Sequence, residues 1–72
     1  METYKQRVIE EHKQLKERAE KLGLFLNQYA MDEHSIEPNC PIELLQSQWH
    51  TMGTYLKILE VRAAFEGIEL ND

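Results

Sequence analysis

The chain has 72 residues, a net charge of -5 and a single cysteine, Cys40. This length allows one domain at most, here residues 1–72, and so short a chain is marginal as a folded monomer unless a disulfide, a metal or self-association supports it. A lone cysteine excludes an internal disulfide and is typical of a reducing compartment. The acidic balance argues against DNA or RNA as a partner, because proteins that follow nucleic-acid phosphates carry a basic patch.

The sequence shows no pattern typical of metal binding, of a membrane span or of a signal peptide. His12, His34 and His50 lie far apart and match no metal-ligand spacing, so we predict no metal and no cofactor. No apolar run approaches the roughly 20 residues that cross a bilayer, and the first residues lack the apolar segment of a signal peptide. We therefore expect a cytoplasmic protein with no membrane partner, which leaves self-association as the source of additional stability.

The first predicted element is a helix over residues 2–30, which contain no proline. Its apolar residues recur at spacings of three and four, which places them on one stripe that needs a packing partner. They are Tyr4, Val8, Leu15, Ala19, Leu22, Leu26 and Tyr29, with His12 in the same stripe. Gly23 costs about 1 kcal/mol relative to alanine at this position, and it indicates either the close approach of another helix or a bend.

Residues 31–40 are predicted to form a connection and residues 41–66 a second helix. Pro38 disfavours helix at the residue before it. Asn39 or Cys40 is the expected N-cap, and Pro41 suits the first helical position because its missing N–H costs nothing there.

The second helix is predicted to end at Gly67, which suits a C-cap. A short acidic tail, residues 67–72, follows it, and Ile68 and Leu70 in this tail are candidates to fold back.

The second helix carries more apolar surface than one neighbouring helix can cover. Its apolar residues form three rows at intervals of seven: Leu45, Met52 and Leu59; Ile42, Trp49, Leu56 and Ala63; and Leu44, Ile58 and Phe65. The two helices have similar lengths and a short connection. The pattern therefore predicts an all-α fold, an antiparallel two-helix hairpin that assembles into a homo-oligomeric helical bundle.

Polar residues also recur at intervals of seven, beside the row that begins at Leu45: they are Gln48, Tyr55 and Arg62. In a structural interpretation, Arg62 pairs with Glu11 across the hairpin, Tyr55 packs its ring and Gln48 fixes the register of the helices. In a functional interpretation, the same side chains line a cleft between protomers. There, Arg62 would hold a phosphate or carboxylate through two parallel hydrogen bonds.

Other residues extend the functional interpretation. Tyr55 or Trp49 would stack on a base, and Lys57 is one of the few cations outside helix 1. Trp49 also lies in an apolar row, where a core role is the simpler explanation. No nucleophile and base stand at a recognisable spacing, so we predict no catalytic residue and do not expect an enzyme.

Several segments resemble a family of very small bacteriophage proteins related to an orphan protein of a crAss-like phage. The similar segments are Tyr4 to Glu11, Leu15 to Arg18 with Lys21 and Leu22, Asn39 to Leu45, and the spaced set Gln48, Met52, Tyr55, Leu56, Ile58, Leu59 and Arg62. They cover nearly the whole chain. Trp49 and His50 fall where the family has no fixed identity, which weakens a role for Trp49.

The resemblance implies a phage or prophage origin and brings no established activity. Very small phage proteins of the helical-hairpin type include inhibitors of bacterial immunity. Some of these act as sponges for cyclic nucleotides or ADP-ribose-type signals at protomer interfaces, an analogy at the level of fold.

The leading hypothesis is a non-enzymatic anti-defence sponge in the cytoplasm of an infected bacterium. It would sequester a small anionic nucleotide immune signal, such as a cyclic nucleotide or an ADP-ribose-type ligand, at a protomer interface. The predicted ligand-binding residues are Arg62, Tyr55, Gln48, Lys57 and Trp49. The alternative is an acidic helical interaction module that inhibits a host protein or serves as a phage adaptor.

Overall fold

The computed structural model describes residues 2–32 and 37–70, and only the backbone of Glu2. Helix α1 runs from Glu2 to Ala30 and helix α2 from Ile42 to Glu66. The helices pack side by side in opposite directions, so that Tyr4 lies near Glu66 at one end of the hairpin. This arrangement confirms the predicted all-α fold and the two-helix hairpin. The assembly of hairpins into a bundle stays a prediction.

Helix α1 ends in a turn that contains two backbone hydrogen bonds. The amide of Met31 donates to the Asn27 carbonyl at 3.1 Å, and the amide of Asp32 donates to the Tyr29 carbonyl at 3.0 Å. Asp32 has a φ of 60°, in the left-handed region where aspartate is better tolerated than most side chains. Part of the predicted connection, residues 33–36 with His34, lies outside the described residues.

The start of α2 differs from the prediction by one residue. Pro41 is the N-cap, with a ψ of 140°, so it is extended and the helix begins at Ile42. No side chain makes a capping hydrogen bond, so the predicted capping role of Asn39 or Cys40 is wrong. The Pro41 carbonyl instead accepts from the Leu44 amide at 3.0 Å, and Glu43 places a negative charge in the first turn, where the helix dipole favours it.

The end of α2 is the predicted glycine cap. Gly67 is left-handed with a φ of 68°, and the Ile68 amide donates to the Ala63 carbonyl at 2.8 Å. This backbone turn directs the tail back along the hairpin. Ile68 is buried against Val8 and Ala63, with Leu70 packed beside them, as expected for two residues that fold back. Residues 71–72 lie outside the described part of the tail.

The core is a single seam between the two helices. Its buried apolar residues are Val8, Leu15, Ala19, Leu59, Ala63 and Ile68, and His12 is buried with them. Leu59 is fully enclosed, with 0% of its surface exposed. The hairpin is long and thin, with extents of 46 × 18 × 17 Å, so most side chains remain at the surface.

We predict that Leu59→Ala lowers the free energy of unfolding by about 2–5 kcal/mol, because it leaves a cavity in the core between the two helices. Leu24→Ala removes the same atoms from a leucine that is 59% exposed and should change that free energy by less than about 0.5 kcal/mol. Chemical denaturation followed by circular dichroism measures both. Equal losses in the two variants would contradict a core centred on Leu59.

Candidate functional site

The polar row predicted to bind a ligand lies along one edge of the hairpin. Tyr55 and Arg62 of this row contact residues of α1, and Gln48 is exposed. The Tyr55 hydroxyl donates to the Glu11 carboxylate. The Arg62 guanidinium donates from Nη2 to the Tyr4 hydroxyl at 2.5 Å, and its Nε lies 3.9 Å from the Glu66 carboxylate. Tyr55 and Arg62 thus each make one polar contact across the hairpin, and the contact of Arg62 with Glu66 lies within α2.

The partner of Arg62 differs from the structural interpretation of the sequence. Glu11 was the expected partner, but Glu11 accepts from Tyr55, and Arg62 reaches Tyr4, nearer the start of α1. The hydrogen bond to Tyr4 raises the pKa of Arg62 above its ordinary value, and the negative charges of Glu66 and Glu11 add to this. Arg62 is therefore a permanent cation in an acidic neighbourhood.

Trp49 lies on the other side of the seam and contacts the middle of α1. Its indole Nε1 donates to the Ala19 carbonyl at 3.1 Å, a backbone group that also belongs to the α1 helix. A Cβ atom at Gly23 would lie 2.9 Å from the same nitrogen. Gly23 therefore allows the close approach of Trp49, which is one of the two roles that its position in α1 predicted.

An open groove runs beside the indole. It has a volume of about 640 Å³ and is lined by Lys16, Ala19, Glu20, Gly23, Trp49, His50, Gly53 and Leu56. A second depression of about 300 Å³ continues it past Trp49 toward Leu26, Asn27 and Gln46. We call the first of these the Trp49 groove. Its volume lies in the range of pockets that hold small molecules, about 300–1,000 Å³.

Gly53 has no steric role within the hairpin. A Cβ atom there would meet nothing within 4 Å, in contrast to Gly23. A glycine inside a helix costs about 1 kcal/mol relative to alanine. The residue therefore weakens α2 and leaves open space in the groove.

The rim of the Trp49 groove carries polar side chains from both helices. Lys16 and Glu20 come from α1, and His50 comes from α2. The His50 ring lies edge-on to the indole, with centroids 5.2 Å apart and planes at 63°. The side chains of Lys16, His50 and Trp49 thus border a mostly apolar floor, a combination suited to a flat polar ligand.

The five predicted ligand-binding residues do not share one site within a protomer. Successive helical residues rotate by about 100°, so Tyr55 points roughly 160° away from Gly53 around α2. Tyr55, Arg62 and Gln48 therefore lie on the opposite edge from the Trp49 groove. Lys57 is exposed on α2, and the groove contains Trp49 alone among the five.

Sequence reasoning did not select Lys16, His50 or Gly53 as site residues. Lys16 lies among alternating charges, which are typical of a solvated helix face. Gly53 was the one available signal, because a glycine inside a helix needs an explanation. His50 gave no signal, since its position beside the groove depends on how Trp49 packs.

A partly buried polar pair joins the helices beside the seam. His12 is 2% exposed, and its Nε2 lies 3.0 Å from a carboxylate oxygen of Glu60, whose side chain is half exposed. Buried polar groups need such partners, so this contact favours one register of the hairpin. We assign it a structural role.

Among the described residues, 2–32 and 37–70, no three metal-ligating side chains come together. In the same part of the chain, neither helix combines the length and the apolar character that a bilayer span requires. Cys40 is a free thiol of intermediate exposure just before α2.

Comparison with known proteins assigns the chain to a family. Residues 2–65 match the family model described as Sequestin. Because this match covers most of the 72 residues, the chain belongs to the Sequestin family. No curated protein and no solved structure matches it.

We predict that Gly23→Ala displaces the indole, because the new methyl group would lie 2.9 Å from Nε1 of Trp49. The fluorescence of this single tryptophan should shift to longer wavelength, and the free energy of unfolding should fall by about 1 kcal/mol as overpacking exceeds the gain in helix propensity. Gly53→Ala is the control, and it should keep the emission and raise stability by up to about 1 kcal/mol. Unchanged emission in Gly23→Ala would contradict the packing of Trp49 described above.

Proposed function

We propose that this member of the Sequestin family is a non-enzymatic binder that sequesters a small anionic nucleotide in the Trp49 groove. The family name supports sequestration as the general activity. The nucleotide class, the site and the absence of catalysis are our inferences. The observation that carries the proposal is the open space that Gly53 leaves beside an aromatic side chain.

Glycine at position 53 lowers the stability of α2. A helix of this small protein gains stability from alanine at almost any interior position, and glycine gives up about 1 kcal/mol there. Gly23 offsets its cost by admitting Trp49, whereas a Cβ atom at Gly53 would meet nothing within 4 Å. A molecule that approaches the backbone of α2 at Gly53 would explain why a side chain is missing there.

The chemistry of the groove favours a nucleotide among small ligands. A base has a flat aromatic surface that stacks on an indole, and such stacking contributes about 1–3 kcal/mol. Lys16 supplies a positive charge, and the His50 imidazole supplies a hydrogen-bonding group at the same rim. A phosphate is the anionic group that such donors bind readily, although Glu20 reduces the positive potential of this rim.

The row of Arg62 is less suited to an anion within one protomer. Glu66 lies 3.9 Å from Arg62, and Glu11 lies close enough to raise its pKa. An incoming phosphate would meet two carboxylates beside one guanidinium, and would compete with the Tyr4 hydroxyl for Nη2. We therefore favour the groove over the protomer-interface site that the sequence predicted.

Sequestration requires only tight binding and enough copies of the protein. The proposal needs no nucleophile and no base, since the ligand is withdrawn and released unchanged. In this setting the biological role would be that of a phage anti-defence sponge, which lowers the concentration of a nucleotide immune signal. The phage origin rests on the resemblance of the sequence to very small phage proteins.

The proposal predicts a selective loss of binding in Gly53→Leu. Leucine has a helix propensity close to that of alanine, so the variant should be at least as stable as the wild type while its side chain fills the groove. We expect wild-type protein to take up one class of ligand, at one per chain, from a panel of cyclic di- and trinucleotides and cyclic ADP-ribose variants in native mass spectrometry. Gly53→Leu should bind that ligand at least about tenfold more weakly, a loss of about 1.4 kcal/mol.

The matched control for this variant is Gln48→Leu, which adds the same side chain on the opposite edge of α2. It should bind the ligand as the wild type does. If the wild type takes up none of the panel, the nucleotide assignment is wrong. Equal binding by both leucine variants and the wild type would exclude the groove.

A second prediction separates the groove from the predicted polar row. Arg62→Ala removes the guanidinium that contacts Tyr4 and Glu66, and these contacts are exposed, so the stability of the fold should change little. We expect its affinity for the ligand to stay within about twofold of the wild type, as isothermal titration calorimetry would measure. A folded Arg62→Ala variant that has lost the ligand would instead favour the row containing Gln48 and Tyr55.

A further inference from the structure

The outward face of α2 is uncharged along its whole length. Leu44, Ile58, Val61 and Phe65 lie on it at helical spacing, and their exposed fractions are 60%, 49%, 43% and 87%. Ser47, Thr51 and Thr54 occupy the positions between them. We call this set the outer stripe. A charged residue is expected on the solvent face of a helix of this kind, so its absence over seven positions needs an explanation.

The hydroxyl groups in the outer stripe are already bonded within the helix. Thr51 Oγ1 donates to the Ser47 carbonyl at 3.0 Å, and Thr54 Oγ1 donates to the His50 carbonyl at 3.2 Å. A threonine bonded in this way presents its methyl group outward and needs no water as a partner. The two threonines can therefore be covered by an apolar surface without leaving an unsatisfied hydroxyl.

The exposed area of the hairpin also exceeds that of a folded monomer. A monomer of 8.5 kDa exposes about 4,700 Å² by the usual scaling, whereas this chain exposes 5639 Å². The difference, roughly 1,000 Å², is similar to the area of about 800 Å² that each partner buries in a standard protein interface. The radius of gyration of 14.9 Å likewise exceeds the roughly 11 Å of a compact domain of this length.

We propose that the outer stripe is the interface with a second copy of this chain, related by a twofold axis. An uncharged surface that meets itself buries no unpaired charge, which is the main penalty in a symmetric contact. The positions of the outer stripe alternate at spacings of three and four, the pattern of helices that pair side by side. Two hairpins joined in this way form a four-helix bundle.

Charges beside the outer stripe indicate the direction of pairing. In a parallel pair, the flanking position of Lys57 faces that of Arg62 in the other copy, five residues further on, and two such cation pairs would repel. An antiparallel pair separates these residues and opposes the two helix dipoles. We therefore assign an antiparallel contact between the two α2 helices.

This inference goes beyond the proposed function and does not depend on it. Gly53 lies outside the outer stripe, and the Trp49 groove is built within one protomer. A monomeric variant should therefore keep its ligand, and a failure of either proposal can be recognised without the other.

The test is the mass of the full chain in solution by sedimentation velocity and native mass spectrometry. We expect a wild-type dimer, or a larger assembly of dimers, at micromolar concentration. Ile58→Glu places a charge within the outer stripe and should weaken association at least about a hundredfold, with helix content unchanged in circular dichroism. A wild-type monomer would overturn the proposal, and so would an assembly that withstands Ile58→Glu.

A matched pair of leucines controls for added charge. Leu44 lies in the outer stripe and is 60% exposed, while Leu24 lies on α1 and is 59% exposed. Leu44→Glu should weaken association, and Leu24→Glu should leave it unchanged. Dissociation caused by Leu24→Glu alone would place the interface on α1 and overturn the proposal.

Spin labels attached to the single cysteine can report the direction of pairing. Cys40 precedes α2 by two residues, so spin labels on it should lie about 40 Å apart in an antiparallel pair, given a rise of 1.5 Å per residue. Pulsed electron paramagnetic resonance reports this distance. A distance below about 20 Å would overturn the antiparallel contact.

Discussion

Two helices packed side by side can share only one seam, and this constraint governs the rest of the molecule. Each helix buries a single stripe against the other, so the core is limited to a few apolar residues around Leu59 and Ala63. The hydrogen bonds of Tyr55 to Glu11 and of Arg62 to Tyr4 join the helices outside the seam, and both are exposed. Such contacts contribute little to stability because water screens them, and they act mainly to keep the helices in register.

The placement of Trp49 shows how the seam generates a site. An indole is too large for a close helix contact unless the facing helix offers a glycine, and Gly23 does so. The ring then spans the edge of the seam with its Nε1 bonded to the Ala19 carbonyl. Because Gly53 adds no side chain next to it, the space beside the ring stays empty. The groove thus results from the large side chain of Trp49 and from the absence of side chains at Gly23 and Gly53.

Much of the fold was predictable because periodicity reports burial directly. The spacing of Val8, Leu15 and Ala19 indicated the buried stripe of α1, and Gly67 indicated the end of α2. The start of α2 was less predictable, because Pro41 suits both the N-cap and the first helical position and only its ψ angle decides between them. The groove was not predictable, because it depends on which edge of the seam Trp49 occupies, and a repeat of seven does not specify that.

The groove and the outer stripe lie on different sides of α2, and this separation bears on how sequestration would operate. A site shared between protomers would exist only after assembly, so its capacity would depend on protein concentration. A groove formed within one hairpin is present in every chain, and pairing through the outer stripe would stabilise the fold without occupying the site. Assembly and ligand binding are thermodynamically linked only if one affects the other. Assembly would therefore raise the affinity for the ligand only to the extent that it orders the groove. Each newly made chain would bind one ligand molecule without having to assemble first. This suits a protein whose effect depends on its number of copies and not on catalytic turnover.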